Sequence, residues 1–237
     1  MQQMNQTGLN RPKTTVVLAM SADGKISDRH RSPILFGSAA DKAHLETQVA
    51  VADAVLGGAG SLRSGGTVMR VIKPELIAQR IQQGKPPQPI QIICSRTGNI
   101  DPQLPFFRQP IPRWLLTTET GAQSWRSRSP ADDRWEQILT WETPAGEIDL
   151  VAALTYLATK GIDRLAVLGG GELVGSLLAV DAIDELWLTV CPLLIGGVSS
   201  PTPVDGVGFS TKMAPRLQLL EVKQVEQELF LHYRINR

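Results

Sequence analysis

Hydrophobic positions along the chain fall into short unbroken runs, set apart by longer stretches in which apolar and polar residues mix with a helical period. The first run, TTVVLAMS at 14–21, is apolar or β-branched throughout, the pattern of a strand buried on both faces. Asp23-Gly24 turns the chain after it. Comparable runs stand at 53–57, 90–94, 113–118, 135–141, 164–168 and 184–191. Two more, near 216–225 and 228–235, are spaced to pair as a hairpin across Glu226-Gln227.

Helices are predicted between the runs. Ser38-Ala39-Ala40-Asp41 reads as a capping box, with Ser38 at the N-cap and Asp41 three residues on, opening a helix that reaches about Ala52. Pro74 suits the first position of a helix over 74–83 that Gly84 ends. Asp149 caps the amphipathic stretch LVAALTYLATK, closed by Gly161, with Val151, Leu154 and Ala158 on one face. A further helix, ELVGSLLAV, follows Gly169-Gly170-Gly171. The stretches 82–89, 124–134 and 192–215 read as loops, the last placed either to cover a pocket or to meet a second subunit. Strands alternating with helices and ending in an antiparallel pair predict an α/β fold. The expected architecture is one mixed, mostly parallel sheet flanked by helices on both faces, with an antiparallel C-terminal hairpin. There is no internal repeat, and residues 11–237 are expected to form one domain behind a polar tail at 1–10.

Composition narrows the function classes. Lys+Arg 24 against Asp+Glu 23 leaves a net charge of +1, which offers no electrostatic case for nucleic acid or an anionic membrane. No apolar run is long enough to span a bilayer, and the polar start lacks a signal-peptide core. Cys94 and Cys191 stand far apart in apolar stretches and read as buried free thiols. The three histidines form no metal-ligand spacing, so no metal site is expected. A reducing cytoplasm fits these features.

The candidate chemistry lies at strand ends. Gly57-Gly58-Ala59-Gly60-Ser61 and Gly169-Gly170-Gly171 each follow a buried run and precede a helix. Bare backbone and a helix N-terminus together can take a phosphate, and two such turns suggest a ligand the size of a nucleotide; alternatively the glycines only make tight turns. Neither cluster is the dinucleotide fingerprint, because Arg63 and Val174 occupy the third glycine positions. Ser95-Arg96-Thr97, directly after the run at 90–94, supplies a guanidinium fork beside two hydroxyls. That set suits a phosphomonoester such as the 2′-phosphate that tells one nucleotide cofactor from another; alternatively it is an ordinary polar turn. Thr117-Thr118 could touch a cofactor in the same way. No G-x-S-x-G element and no His placed to serve a Ser or Cys is present. Hydride transfer, in which a cofactor carries the chemistry, fits that absence.

Three segments, RPKTTVVLAMSADGKI, DAVLGGAGSLRS and AVLGGGELVGSLLAVDAIDELWLTVCPLLIGG, resemble the reductase domain of bacterial riboflavin biosynthesis, over about residues 11–237. The resemblance implies a dihydrofolate-reductase-like fold, a homodimer, NADPH as cofactor, and reduction of a phosphoribosylamino-pyrimidine to its ribitylamino form, the hydride going to the sugar carbon. In many bacteria the domain is fused to a zinc deaminase, whose Cys/His pattern is not found here. Carried over by position, Gly57, Gly58, Gly60, Ser61 and Gly169, Gly170, Gly171, Glu172 and Leu173 would hold the cofactor's pyrophosphate and nicotinamide side. Ser95, Arg96 and Thr97 would hold its 2′-phosphate. Ser21 and Asp41 would sit near the substrate, Asp41 keeping its alternative role in the helix cap, while Asp23 reads as structural. The chain departs from the family at Gly65, Leu168, Val17 and Val49, where polar or charged residues are usual and are expected to face the substrate. Arg70 and Arg63 are the cations placed to compensate. Two rival readings stay open: a nucleotide-binding relative without turnover, and a reductase of another small carbonyl compound.

Overall fold

The computed structural model describes residues 10–33, 36–129 and 134–236. The tail expected at 1–10 therefore lies, apart from Asn10, outside the described residues, as does part of the loop expected at 124–134. Among the described residues, nine strands form one sheet: β1 (Lys13–Ser21), β2 (Ala54–Gly58), β3 (Ile90–Cys94), β4 (Arg113–Thr117), β5 (Gln137–Thr140), β6 (Arg164–Val167), β7 (Glu185–Cys191), β8 (Arg216–Val225) and β9 (Glu228–Asn236). Their spatial order is β5-β4-β3-β2-β6-β1-β7-β9-β8. The seven strands from β5 to β7 run parallel, and β9 and β8 close the edge antiparallel. This is the mixed, mostly parallel sheet with a C-terminal hairpin that the alternating pattern implies.

Among the described residues, six α-helices flank the sheet: α1 (Ala39–Val51), α2 (Ala59–Gly65), α3 (Pro74–Gln82), α4 (Glu119–Arg128), α5 (Leu150–Thr159) and α6 (Gly171–Ala179). Alternation along the strands sorts them into layers. On one face Leu56, Ile92, Leu116 and Val167 meet Leu154 and Leu157 of α5 and Val174 and Leu177 of α6. On the other, Val55 and Ala166 meet Val49 and Ala50 of α1, while Ile93 and Leu115 meet Leu62 of α2 and Trp125 of α4. Buried polar groups lock the second layer. Glu46 accepts from Ile72 N and Lys73 N at 2.6 and 2.7 Å, capping the entry to α3. Arg80, 1% exposed, donates to the carbonyls of Ala50 and Ala52 and so ties α3 to the end of α1.

Three local expectations need correction. Residues 124–128 belong to α4 and not to a loop; the segment is polar, and the helix is held by Thr118 at its N-cap and by Trp125, 1% exposed. The buried stripe of α5 is Leu150, Ala153, Leu154 and Leu157, and Val151 faces solvent. The capping box of α1 is only half formed. Ser38 Oγ accepts from Ala40 N and Asp41 N, but Ser38 N donates to Glu228 Oε1 of β9 at 2.9 Å and not to Asp41. A carboxylate from the last strand thus completes the cap of the first helix.

Candidate active site

The chain order of the sheet reverses between β2 and β6. After β2 the chain turns into α2 on one face; after β6 it turns into α6 on the other. Two helices leaving to opposite sides open a crevice at the carboxyl ends of the strands, where open α/β sheets bind ligands. Gly58 N donates to Gly169 O at 2.8 Å and joins the two turns at the crevice floor. Above them lies a cleft of about 1050 Å³. That is at the upper end of the roughly 300–1000 Å³ of small-molecule sites, room for a dinucleotide.

The cleft gathers most of the residues that the sequence singles out. Gly58, Gly60, Ser61, Ser95, Arg96, Thr97, Gly170, Gly171, Glu172 and Leu173 line it. The N-caps of α2 and α6 are Gly58 and Gly170, which provide no side-chain cap, so the first-turn amides of both helices lack such a partner. A Cβ built at Gly60 would meet no atom within 4 Å, so packing does not require glycine there. Its effect is a bare backbone on the cleft wall. Gly169 is different. Its φ of +89° and a clash of any Cβ with Leu18 at 2.9 Å do require glycine.

Other predicted residues do not reach the cleft wall. Gly57 sits in the ladder opposite Ile93, and Gly169 forms the floor through its carbonyl. Thr118 is 2% exposed; its hydroxyl donates to Arg96 O at 2.8 Å and accepts from Gly121 N. It positions the Arg96 backbone and caps α4, and has no free face for a cofactor. Ser21 is fully buried and donates to Asp23 Oδ1 at 2.6 Å. Asp23 in turn accepts from Ile195 N and Gly196 N, and these three donors hold its pKa down to about 2. Its role is the structural one expected. Asp41 turns toward Thr189 and Glu228; burial raises its pKa first, opposed by the Thr189 hydrogen bond and reinforced by the Glu228 charge. Arg70 is half-buried in the segment between α2 and α3 and is not among the lining residues.

The four departures divide. Gly65 lines the cleft. Val17 and Val49 are 5% and 0% exposed, and Leu168 packs on the same apolar cluster as Val49. In this chain Val17 and Val49 are core, and Leu168 is half-buried against the Val49 cluster; none of the three lines the cleft.

Several lining residues carried no sequence signal. Arg31 and Ser27 come from the loop after β1, Glu147 and Thr143 from the turn after β5, and Asp205 from the 192–215 loop. Exposed ion pairs stand across the rim: Arg31–Glu172 at 3.6 Å and Arg96–Glu147 at 2.7 Å. Cys94 lines the cleft as a free thiol, and burial pushes its pKa up to about 12, so it is no thiolate at neutral pH. Among the described residues, no group of three or more His, Cys, Asp or Glu is placed to hold a metal ion, and no helix is long and apolar enough to cross a membrane.

The family model described as the RibD C-terminal domain matches residues 12–231. The chain belongs to this family. One relative of this RibD C-terminal domain is the 2,5-diamino-6-ribosylamino-4(3H)-pyrimidinone 5′-phosphate reductase of Archaeoglobus fulgidus, 29% identical over 231 residues, 96% of this chain and 100% of that protein. The riboflavin biosynthesis protein RibD of Bacillus amyloliquefaciens is 25% identical over 228 residues; this chain spans 57% of its length. Among solved structures, a pyrimidine reductase-like protein from Corynebacterium diphtheriae superimposes with a TM-score of 0.77 at 21% identity, covering 100% of this chain and 98% of that one. The fold of this RibD C-terminal domain is therefore dihydrofolate-reductase-like, as the resemblance implied.

Proposed function

We propose that this RibD C-terminal domain is an NADPH-dependent reductase of the riboflavin pathway, acting on a phosphoribosylamino-pyrimidine. The carrying observation is the switch-point cleft, in which two side-chain-free turns and an exposed guanidinium line one cavity. The residues present fit the coenzyme. The α2 and α6 turns offer bare amides for a diphosphate, and Arg96 with Thr97 offers a fork and a hydroxyl for a phosphomonoester. A reduced nicotinamide supplies a hydride when bound; the chain's part is to bind, orient and exclude water. Gly58, Gly60 and Gly170 let the backbone close on the diphosphate, Leu173 offers apolar surface, and Arg31 and Ser27 stand where they can close the cleft from the β1 loop. The acceptor is a sugar-derived imine or carbonyl carbon. The protein is read as a cytoplasmic homodimer.

NADPH titration, followed by quenching of the five tryptophans, tests this reading. Saturable binding well below about 1 mM, with oxidation of NADPH when the riboflavin intermediate is added, is expected. No binding at that concentration would remove the coenzyme assignment. The burial of Val17 and Val49, with an apolar Leu168 beside the Val49 cluster, favours a second reading, a binding relative without turnover on that intermediate. Binding without oxidation of the intermediate or of simple carbonyl compounds would select it.

A further inference from the structure

The rim of the cleft carries a carboxylate against one of its exposed cations. Arg96 Nη1 donates to Glu147 Oε1 at 2.7 Å, and both side chains line the cleft. The two residues come from different strand ends, β3 and β5. The backbone beneath each is fixed. Arg96 O accepts from the Thr118 hydroxyl at 2.8 Å, which holds the start of the Arg96 turn against α4. Glu147 closes a tight turn in which Thr143 N donates to Glu147 O at 2.8 Å, Gly146 N to Thr143 O at 2.9 Å, and Glu147 N to Thr143 Oγ1 at 3.2 Å. Neither end of the pair can swing far away, yet both side chains are about 60% exposed, so the bond itself is weak and easily exchanged.

We propose that Glu147 sets the coenzyme preference of the cleft by competing for Arg96, so that phosphorylated and unphosphorylated nicotinamide dinucleotides bind with similar strength. The proposal rests on the coenzyme reading above and refines it. A 2′-phosphate reaching Arg96 must displace the Glu147 carboxylate or share the guanidinium with it. Because the turn keeps Glu147 at the rim, the displaced carboxylate stays close to a doubly charged group and repels it. An unphosphorylated ribose meets the opposite situation. Its hydroxyl donates to the carboxylate and carries no charge to be repelled. Arg96 therefore favours NADPH, and Glu147 cancels much of that advantage.

Isothermal titration of the intact protein with NADPH and with NADH, compared for wild type, Glu147→Gln, Arg96→Gln and the double variant, tests this without any turnover measurement. Wild type is expected to prefer NADPH by less than about tenfold. Glu147→Gln is expected to tighten NADPH by about three- to tenfold and to leave NADH within about twofold, the scale of one exposed charge acting on a dianion across a few ångströms. The gain is expected to shrink as salt is raised from about 0.05 to 0.5 M, and to be smaller in the Arg96→Gln background, where competition for the guanidinium is gone and only the repulsion of the phosphate is relieved. Equal changes for both coenzymes, no change, or a gain undiminished by loss of Arg96 would each overturn the role of Glu147 while leaving the coenzyme site standing. If wild type binds neither coenzyme, the coenzyme reading itself falls and takes this refinement with it. Glu147 is exposed, and unaltered thermal unfolding of the Gln variant confirms that the comparison is between folded proteins.

Discussion

Asp23 fastens the loop after β7 to the end of β1 with one carboxylate, accepting from the Ser21 hydroxyl and from two successive amides, Ile195 and Gly196. Those donors depress its pKa from 3.8 to about 2, so the native state holds its proton less tightly than the unfolded chain. Its contribution to stability is therefore complete above pH 3.8 and disappears as pH falls through about 2. In Asp23→Asn that part of the acid dependence should be gone; thermal midpoints measured from pH 5 to pH 2 would converge for the two proteins at the acid end, and parallel curves would contradict the assignment. Single residues were unevenly legible in the sequence. Arg96 stood out because a guanidinium between two hydroxyls directly after a strand is local in the sequence, and the structure does place it on the cleft. Glu147 did not, because its partner lies 51 residues away and only the adjacency of β3, β4 and β5 brings the two together. Thr118 was misread as a cofactor contact for a related reason: a hydroxyl at a strand end is chemically indistinguishable from an N-cap until the following helix is known.

Elements with strong punctuation were readable. Pro74 at the start of α3, Gly161 after α5 and the largely apolar β1 and β3 all stand where local chemistry puts them. Element α4 was hidden because its helix owes more to a cap and one buried tryptophan than to periodicity. The N-caps offer a direct check. Asp149 Oδ1 accepts from Ala152 N at 2.9 Å at the head of α5, beside the cleft. Asp149→Ala should cost about 1 kcal/mol, the usual worth of such a cap, and lower the melting midpoint by roughly 2–4 °C for a chain of this size. A calorimetric scan measures it, and an unchanged midpoint would show that the cap hydrogen bond is replaced by solvent without loss.

At the scale of the molecule, β8 is the conspicuous element. Its residues are exposed almost throughout, with Leu217, Leu219 and Val222 46%, 51% and 54% accessible on an edge strand. Exposed apolar edge strands are surfaces for pairing, and the proposed homodimer would use this one. Wild type should sediment at twice 25.8 kDa. Leu219→Lys combined with Val222→Glu should sediment as a monomer, with secondary structure retained because both side chains face solvent already. A wild-type monomer at micromolar concentration would refute the pairing. The order of the strands has another consequence. The first strand made, β1, sits between β6 and β7, with Lys13 opposite Arg164 and Thr15 opposite Glu185. At roughly 5–20 residues per second, a ribosome needs about ten to thirty seconds after releasing β1 to deliver its neighbours. For all that time a largely apolar segment of the nascent polypeptide lacks both strands it will pair with.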